Sequence, residues 1–337
     1  QAKNILPPEN LILFHARFPF QWRKEIEDRV LALLNKNGQR PQKAIVVATQ
    51  VIEQSLDLDF DYMVTDLAPV DLLLQRAGRL HRHPRNQPGR PSALQAPILA
   101  LCRPPLDGDL PNFGADKHIY DESTLLATWL SLQGRASLRL PDETEDLIEA
   151  VYGKAADTSL PETTAQALKT AREKARKEHE HESQEAENRL INFPDVEDFI
   201  FSTNDALEED DTKTHNAFRA LTRLGDPTIS IICLHQGAQG IFLNPEGQGE
   251  PVDIRKRPSR ALATQLLARA VTIQRRDVVH YLIGQDERKA DWKRSALVCD
   301  HHPVVFDEMG EYHPQDANFY FKLSRSLGLQ VFNKEEK

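Results

Sequence analysis

Cysteine is scarce: Cys102, Cys233 and Cys299 are the only three in 337 residues, and they lie far apart. No C-x-x-C pair exists, which argues against a zinc knuckle. An odd, sparse count suits a reducing cytoplasm rather than a disulfide framework. Long apolar runs are also missing, and none approaches the ~20 residues that a membrane helix requires. The start, Gln1-Ala2-Lys3-Asn4, lacks the charged-then-apolar pattern of a signal peptide. It also lacks Met, from which we expect the chain to begin inside a longer polypeptide or after processing. Positive charge is not in excess: the net charge of −9 argues against indiscriminate whole-surface binding to nucleic acid. Two nucleotide-binding signatures are absent. There is no G-x-x-x-x-G-K-[ST] loop, since Gly153-Lys154 is followed by Ala155-Ala156. There is no Asp-Glu-x-His or Asp-Glu-x-Asp box, since Asp121-Glu122-Ser123-Thr124 and Asp142-Glu143-Thr144-Glu145 both depart from it. A phosphate cradle with its lysine and the magnesium carboxylates are therefore not encoded here.

What is present is an ordinary globular composition, 40% apolar and 28% charged, long enough for two or three domains. Residues 1–10, with Pro7-Pro8, read as a linker. Asn10 to His15 reads as a short buried strand. Trp22, Ile26, Val30, Leu33 and Leu34 fall on one face of a helix that Asn37-Gly38 ends. Lys43 to Ala48, Tyr62 to Asp66 and Ala96 to Cys102 are further strands, and Asp71 to His81 reads as a helix. This order, with strands apolar on both faces, predicts an α/β fold on a parallel sheet buried on both sides. Further helices are expected over Asp116 to Leu132 and Glu143 to Tyr152. Residues 1–155 form the expected first domain. Residues 156–191 alternate in charge, with Glu173 and Lys177 at i,i+4 spacing, and predict a solvated connecting helix. Residues 192–337 read as a smaller mixed α+β domain. It has a hairpin over Thr228 to His235 and Gly240 to Leu243, a helix over Arg260 to Ile273, and a turn at Glu308-Met309-Gly310.

The chemistry concentrates in Gln75-Arg76-Ala77-Gly78-Arg79-Leu80-His81-Arg82. On a continuous helix, Gln75, Arg79 and Arg82 share one face, while Leu73, Ala77 and Leu80 share another. Two guanidiniums on one edge, with Gly78 allowing close approach, suit a cluster of anionic oxygens. Residues 76–90 hold Arg76, Arg79, His81, Arg82, His83, Arg85 and Arg90 with no acid, a local basic groove. Thr49 follows a strand at the edge where open parallel sheets bind ligands, and its hydroxyl suits a nucleic-acid phosphate. Asp57 can accept hydrogen bonds from a ribose or orient an arginine. Singly, Thr49 reads equally as a helix cap and Asp57 and Asp59 as turn residues. The acidic run Glu208-Glu209-Asp210-Asp211 reads as a solvated loop. Asp300-His301-His302 spells a phosphoesterase signature without partner aspartates, so no metal site is expected.

The order LFHARF, ATQVIEQSLDLDFD, YMVTDLAP and QRAGRLHRH resembles motifs IV, V, Va and VI of superfamily 2 helicases. The wording of QSLDLDFD and Asp-Leu-Ala-Pro is similar to the CRISPR-associated helicase-nuclease of type I systems. Leu140-Pro141, Glu149-Ala150-Val151-Tyr152 and Thr222-Arg223-Leu224-Gly225-Asp226 resemble later segments of that family. The resemblance is dense over residues 11–83 and loose to about 235. It implies a second RecA-like domain followed by an accessory C-terminal domain that covers the single-strand channel. Arg79 and Arg82 would be arginine fingers facing the γ-phosphate of ATP, assisted by Gln75. Asp57 and Gly78 would lie beside the nucleotide. Thr49, Gln50, Arg17 and Arg76 would contact DNA, with a structural role equally open for Arg76. ATP and Mg2+ would be held mainly by a first RecA-like domain, so the chain alone is expected not to hydrolyse ATP. The implied partners are single-stranded DNA, the first RecA-like and nuclease domains of the same protein, and an RNA-guided surveillance complex, acting in the cytoplasm with no membrane involved. Two rival readings stand beside this one. One is another superfamily 2 helicase acting on RNA or repair intermediates; the other is a non-catalytic nucleic-acid-binding or scaffold module.

Overall fold

A computed structural model describes residues 6–53, 57–84, 89–153, 160–187, 227–284, 292 and 294–334. The boundaries expected at residues 155 and 191, the run 208–211, the segment 222–226 and Arg85 lie outside the described residues. Contacts group the chain into two compact units. One comprises Gln1–Asp61, Arg79–Ala96 and Asp226–Lys337; the other comprises Tyr62–Gly78 and Pro97–Gly225.

In the first unit, β1 (Leu11–Phe14) pairs in parallel with β2 (Ile45–Ala48), with Phe14 opposite Ala48. Between them runs α1 (Phe20–Leu34), on the face the sequence predicts. Val30 and Leu34 pack with Ile12 and Leu58. Gly38 closes the turn after α1, where a Cβ would meet the Leu33 carbonyl at 2.8 Å. The first turn of α1 faces elsewhere. Phe18 and Trp22 join a core formed with residues 229–329, including Cys233, Phe306, Phe321 and Leu329. That C-terminal part is mixed, as expected. β7 (Ile229–Gly237) lies between β10 (His301–Phe306), parallel to it, and the antiparallel β8 (Gly240–Phe242) and β9 (Ala270–Ile273). The β7–β8 hairpin was legible. The helix expected over Arg260 to Ile273 is shorter: α6 (Arg260–Leu267) stops, and the β-branched residues of Ala270–Ile273 form β9 instead. Pairing with Ile229 to Ile232 overrides helical continuation there. After α7 (Arg276–Gly284), the short strand β11 (Glu311–Tyr312) and the strands β12 (Phe319–Ser324) and β13 (Gly328–Asn333) form an antiparallel sheet.

In the second unit, β3 (Tyr62–Asp66) pairs in parallel with β4 (Ile98–Cys102), and β5 (Leu106–Asp107) with β6 (Leu110–Pro111) makes a small hairpin. Helix α2 (Val70–Ala77) connects β3 to β4, and α3 (Glu122–Leu132), α4 (Thr144–Tyr152) and α5 (Glu162–Glu187) follow the hairpin. Their core joins Val70, Leu73, Leu125, Leu147, Val151 and Leu168. Asp121 caps α3 by accepting from the Thr124 N–H at 2.8 Å. The charged helix α5 is present as expected, with only Thr164 and Leu168 buried along it.

The α/β class with a mixed C-terminal part is thus borne out, with two corrections. Ile45, Val47, Tyr62 and Val64 are exposed, so β2 and β3 are not buried on both faces. The helix expected over residues 71–81 ends at Ala77.

Candidate functional site

The end of α2 reshapes the arginine cluster. Gly78 keeps a right-handed conformation (φ −66°, ψ −3°) and its N–H closes the last turn on the Leu74 carbonyl. Beyond it the chain stops coiling and runs beside residues 58–61. Phe60 and Leu80 form a parallel bridge. The Phe60 N–H donates to the Arg79 carbonyl at 2.8 Å, and the His81 N–H donates to the Phe60 carbonyl at 3.1 Å. His81 adopts φ +49°, uncommon for a residue with a side chain. Its Nε2 faces the Asp61 carbonyl at 3.2 Å, which anchors the bend. The expected i, i+4, i+7 face of Gln75, Arg79 and Arg82 therefore does not form. Burial of Leu80 beside Phe60, with two backbone hydrogen bonds, replaces further helical turns. Gln75 and Gly78 stay with the second unit, exposed, whereas Arg79 and Arg82 belong to the first.

Arg79 is buried, and its Nη2 donates to the Glu53 carbonyl at 2.9 Å. Burial, and then the neighbouring Arg82, hold its guanidinium below the usual arginine range, while Glu53 and Asp57 act in the opposite direction. It stays charged at neutral pH, because arginine starts so far above it. Arg82 is half-exposed and its Nε contacts Asp57 at 2.9 Å; His83 reaches the same Asp57 oxygen at 3.2 Å. Asp57 thus lies in contact with an arginine, the arrangement that one of its two expected roles requires.

The expected open basic groove over residues 76–90 is corrected by carboxylates supplied from 57–61. Arg90 Nη2 donates to both oxygens of the fully buried Asp59, at 2.7 and 2.9 Å, and its Nη1 pairs with Asp61. Arg40 reaches Asp59 at 3.3 Å and Asp61 at 2.7 Å. Asp59 also accepts the Arg82 backbone N–H at 2.9 Å. Buried charge is tolerated only when paired, and here the alternation of acids along Leu58-Asp59-Phe60-Asp61 provides the pairs. Sequence reasoning missed this network; the alternation itself was the available signal.

Arg17, Thr49 and Gln50 are exposed at the carboxyl edge of the β1–β2 pair, brought together by register. The Thr49 N–H donates to the Phe14 carbonyl at 3.3 Å. The Arg17 N–H donates to His15 Nδ1 at 3.1 Å, and burial followed by Arg17 lowers the His15 pKa. Leu329 donates its N–H to the Arg17 carbonyl at 2.8 Å. Gly328 (φ +67°) is required beside it, since a Cβ would meet that carbonyl at 2.7 Å. Arg76 turns away into the second unit, bonding Thr65, the Asp66 carbonyl and the Tyr120 hydroxyl. These bonds suit the structural one of the two roles, structural or DNA-contacting, that the sequence left open for it.

Known proteins resemble this chain in sequence and fold. A family described as CRISPR-associated nuclease/helicase Cas3, C-terminal, matches residues 1–85, and the Cas3 C-terminal domain matches residues 223–329. The CRISPR-associated endonuclease/helicase Cas3 of Thermus thermophilus is 37% identical over 328 residues, 95% of this chain and 34% of that protein. The chain belongs to the Cas3 family. It corresponds to the C-terminal portion, and spans about a third of the length of that relative. A crystal structure of a CRISPR-associated protein is similar at 39% identity and TM-score 0.82, over 98% of this chain and 35% of that one. T. fusca Cas3-ATP is similar at 26% identity and TM-score 0.71, over 97% and 36%. A CRISPR RNA-guided surveillance complex, pre-nicking, contains a chain similar at 28% identity and TM-score 0.68, over 97% and 38%. No helix among the described residues is long and apolar enough to cross a membrane.

Proposed function

We propose that this chain is the second RecA-like half, with its accessory C-terminal domain, of an ATP-driven single-stranded DNA translocase that works 3′ to 5′ in CRISPR interference. The observation that carries this is a pair of neighbouring guanidiniums with different settings: Arg79 is buried with Nη2 on the Glu53 carbonyl, and Arg82 is half-exposed and ion-paired with Asp57. A buried arginine held by a backbone carbonyl, with a second beside it open to solvent, suits charge that develops on a transferred phosphoryl group. Bound ATP with Mg2+ would supply the phosphoryl-transfer chemistry, and this chain fits only one side of that group. Arg79 and Arg82 suit the γ-phosphate, with Gln75 and Gly78 adjacent in sequence and Asp57 beside Arg82. The lysine cradle and magnesium carboxylates are absent from the sequence, so we assign them to a first RecA-like domain. Arg17, Thr49 and Gln50 sit where a phosphate backbone would be gripped, beyond the ends of two parallel strands. The likeness to Cas3 bound to ATP and to a chain in a surveillance complex supports ATP and that complex as partners. The nuclease domain is assigned to the same complete protein.

Unwinding of duplexes bearing either a 3′ or a 5′ single-stranded tail by the complete protein tests this. Wild type is expected to open the 3′-tailed duplex in an ATP-dependent way, and Arg82→Ala to lose ~10³-fold or more of that rate. Equal unwinding by Arg82→Ala contradicts the assignment.

A further inference from the structure

The arginine cluster is built on a second ionic layer, centred on the buried Asp59 and Arg90, that none of the assigned roles uses. Asp59 has no exposed surface, and the Arg90 side chain has almost none. Three groups converge on the Asp59 carboxylate: Arg90 Nη2, Arg40 Nη1 and the backbone N–H of Arg82. The same two arginines converge on Asp61. Arg90 Nη1 also donates to the Phe60 carbonyl at 3.3 Å, and Arg40 Nη1 to the Asp59 carbonyl at 2.5 Å. The segment of residues 57–61 is therefore fixed by side chains on one edge and by Arg79, Leu80 and His81 on the other.

Energetics make this an unusual investment for stability alone. Desolvating a carboxylate and a guanidinium offsets most of their attraction, and apolar replacements of buried ion pairs are often neutral or stabilising. What such a pair does supply is register. The Asp59 side chain is the direct link between Arg90 and the Arg82 backbone, two bonds from the side chain that Asp57 then orients. A shift of the 57–61 segment would displace the Arg82 N–H, the Arg79 carbonyl and the Asp57 carboxylate together.

We propose that Arg90 is a positioning residue for the arginine pair: through Asp59 it sets where Arg82, and with it Arg79, present their guanidiniums. This rests on the arginine-finger reading above. A lysine at position 90 keeps the charge but loses the planar fork that reaches Asp59, Asp61 and the Phe60 carbonyl at once.

The test uses the complete protein with Arg90→Lys, the apolar pair Asp59→Leu with Arg90→Met, and Arg82→Ala. Single-strand-stimulated kcat and KM for ATP are measured together with the affinities for ADP and for ADP with aluminium fluoride, each per folded molecule. Both position-90 variants are expected to lose ~10- to 100-fold in kcat, the scale of a misplacement of about 1 Å. KM and ADP affinity should stay within about threefold, while the aluminium fluoride complex weakens in parallel with kcat. A merely structural role would lower both nucleotide affinities alike or neither. If Arg82→Ala abolishes turnover and either position-90 variant keeps wild-type kcat, the positioning role is overturned. If Arg82→Ala keeps wild-type turnover, the arginine-finger reading falls first and this role falls with it.

Discussion

Arg79 and Arg82 owe their positions to neighbouring backbone and carboxylates, not to a helix face. Gly78 shows what the fold itself asks of the site. Its conformation is open to any residue, and an added Cβ would meet nothing nearer than the Leu74 carbonyl at 3.5 Å. Gly78→Ala should therefore leave the melting temperature unchanged or raise stability by up to about 1 kcal/mol. If the glycine is kept for close approach of the nucleotide, turnover of the complete protein should still fall at least ~10-fold. Unchanged turnover in this variant would show that no close approach occurs there. His235 is a second residue with a measurable consequence. Burial, then Arg269, lower its pKa from 6.5 to about 4; Glu246 opposes this and Arg325 adds to it. The unfolded chain thus takes up this proton more readily than the folded one, so acid favours unfolding. The contribution is complete above about pH 6.5 and is lost as pH falls toward 4. Urea midpoints should fall between pH 7 and pH 5, and less steeply in His235→Phe. Parallel curves for the two proteins would exclude His235 as a source of acid sensitivity.

At the level of elements, periodicity was a good guide wherever one face met one core. The helix α5 carries its solvated charge pattern and β7 with β8 its hairpin, whereas the apolar stripe of α1 is shared between two cores, Trp22 in one and Val30 with Leu34 in the other. Elements failed where tertiary pairing outcompeted local pattern. The residues after Gly78 and after Leu267 both continue a helical spacing, yet both join extended backbone. The buried network of Asp59, Asp61, Arg40 and Arg90 was hidden for a different reason. Its partners are 19 to 31 residues apart in the chain, so no local window contains the pair. Arginines in a stretch without acids looked unpaired, when their carboxylates came from another segment. The long helix α5 yields a prediction of its own. Its exposed pair Arg176–Glu180, at 2.6 Å, should contribute no more than ~0.5 kcal/mol. Leu168 is buried in the second core and ties the helix to it. Leu168→Ala should cost roughly 2–5 kcal/mol, read as a lower melting temperature and faster proteolysis within Glu162–Glu187. A change below ~0.5 kcal/mol would mean that the helix does not depend on this anchor.

For the whole molecule, function divides between what this chain holds and what it faces. It offers one buried and one half-exposed guanidinium and an exposed polar edge at two parallel strand ends, on a chain whose net charge is −9. The family was legible because its motifs are local strings; the geometry behind them was not, because a string does not say where a helix stops. The central claim is that Arg79 and Arg82 act on the phosphoryl group being transferred rather than on binding of the nucleotide. Single-strand-stimulated ATP turnover of the complete protein, measured with ATP affinity for wild type, Arg79→Ala and Arg82→Ala, tests it most directly. The account predicts turnover reduced by ~10³-fold or more in each variant, with ATP still bound. Wild-type turnover in either variant, or loss of binding with kcat preserved, would contradict it.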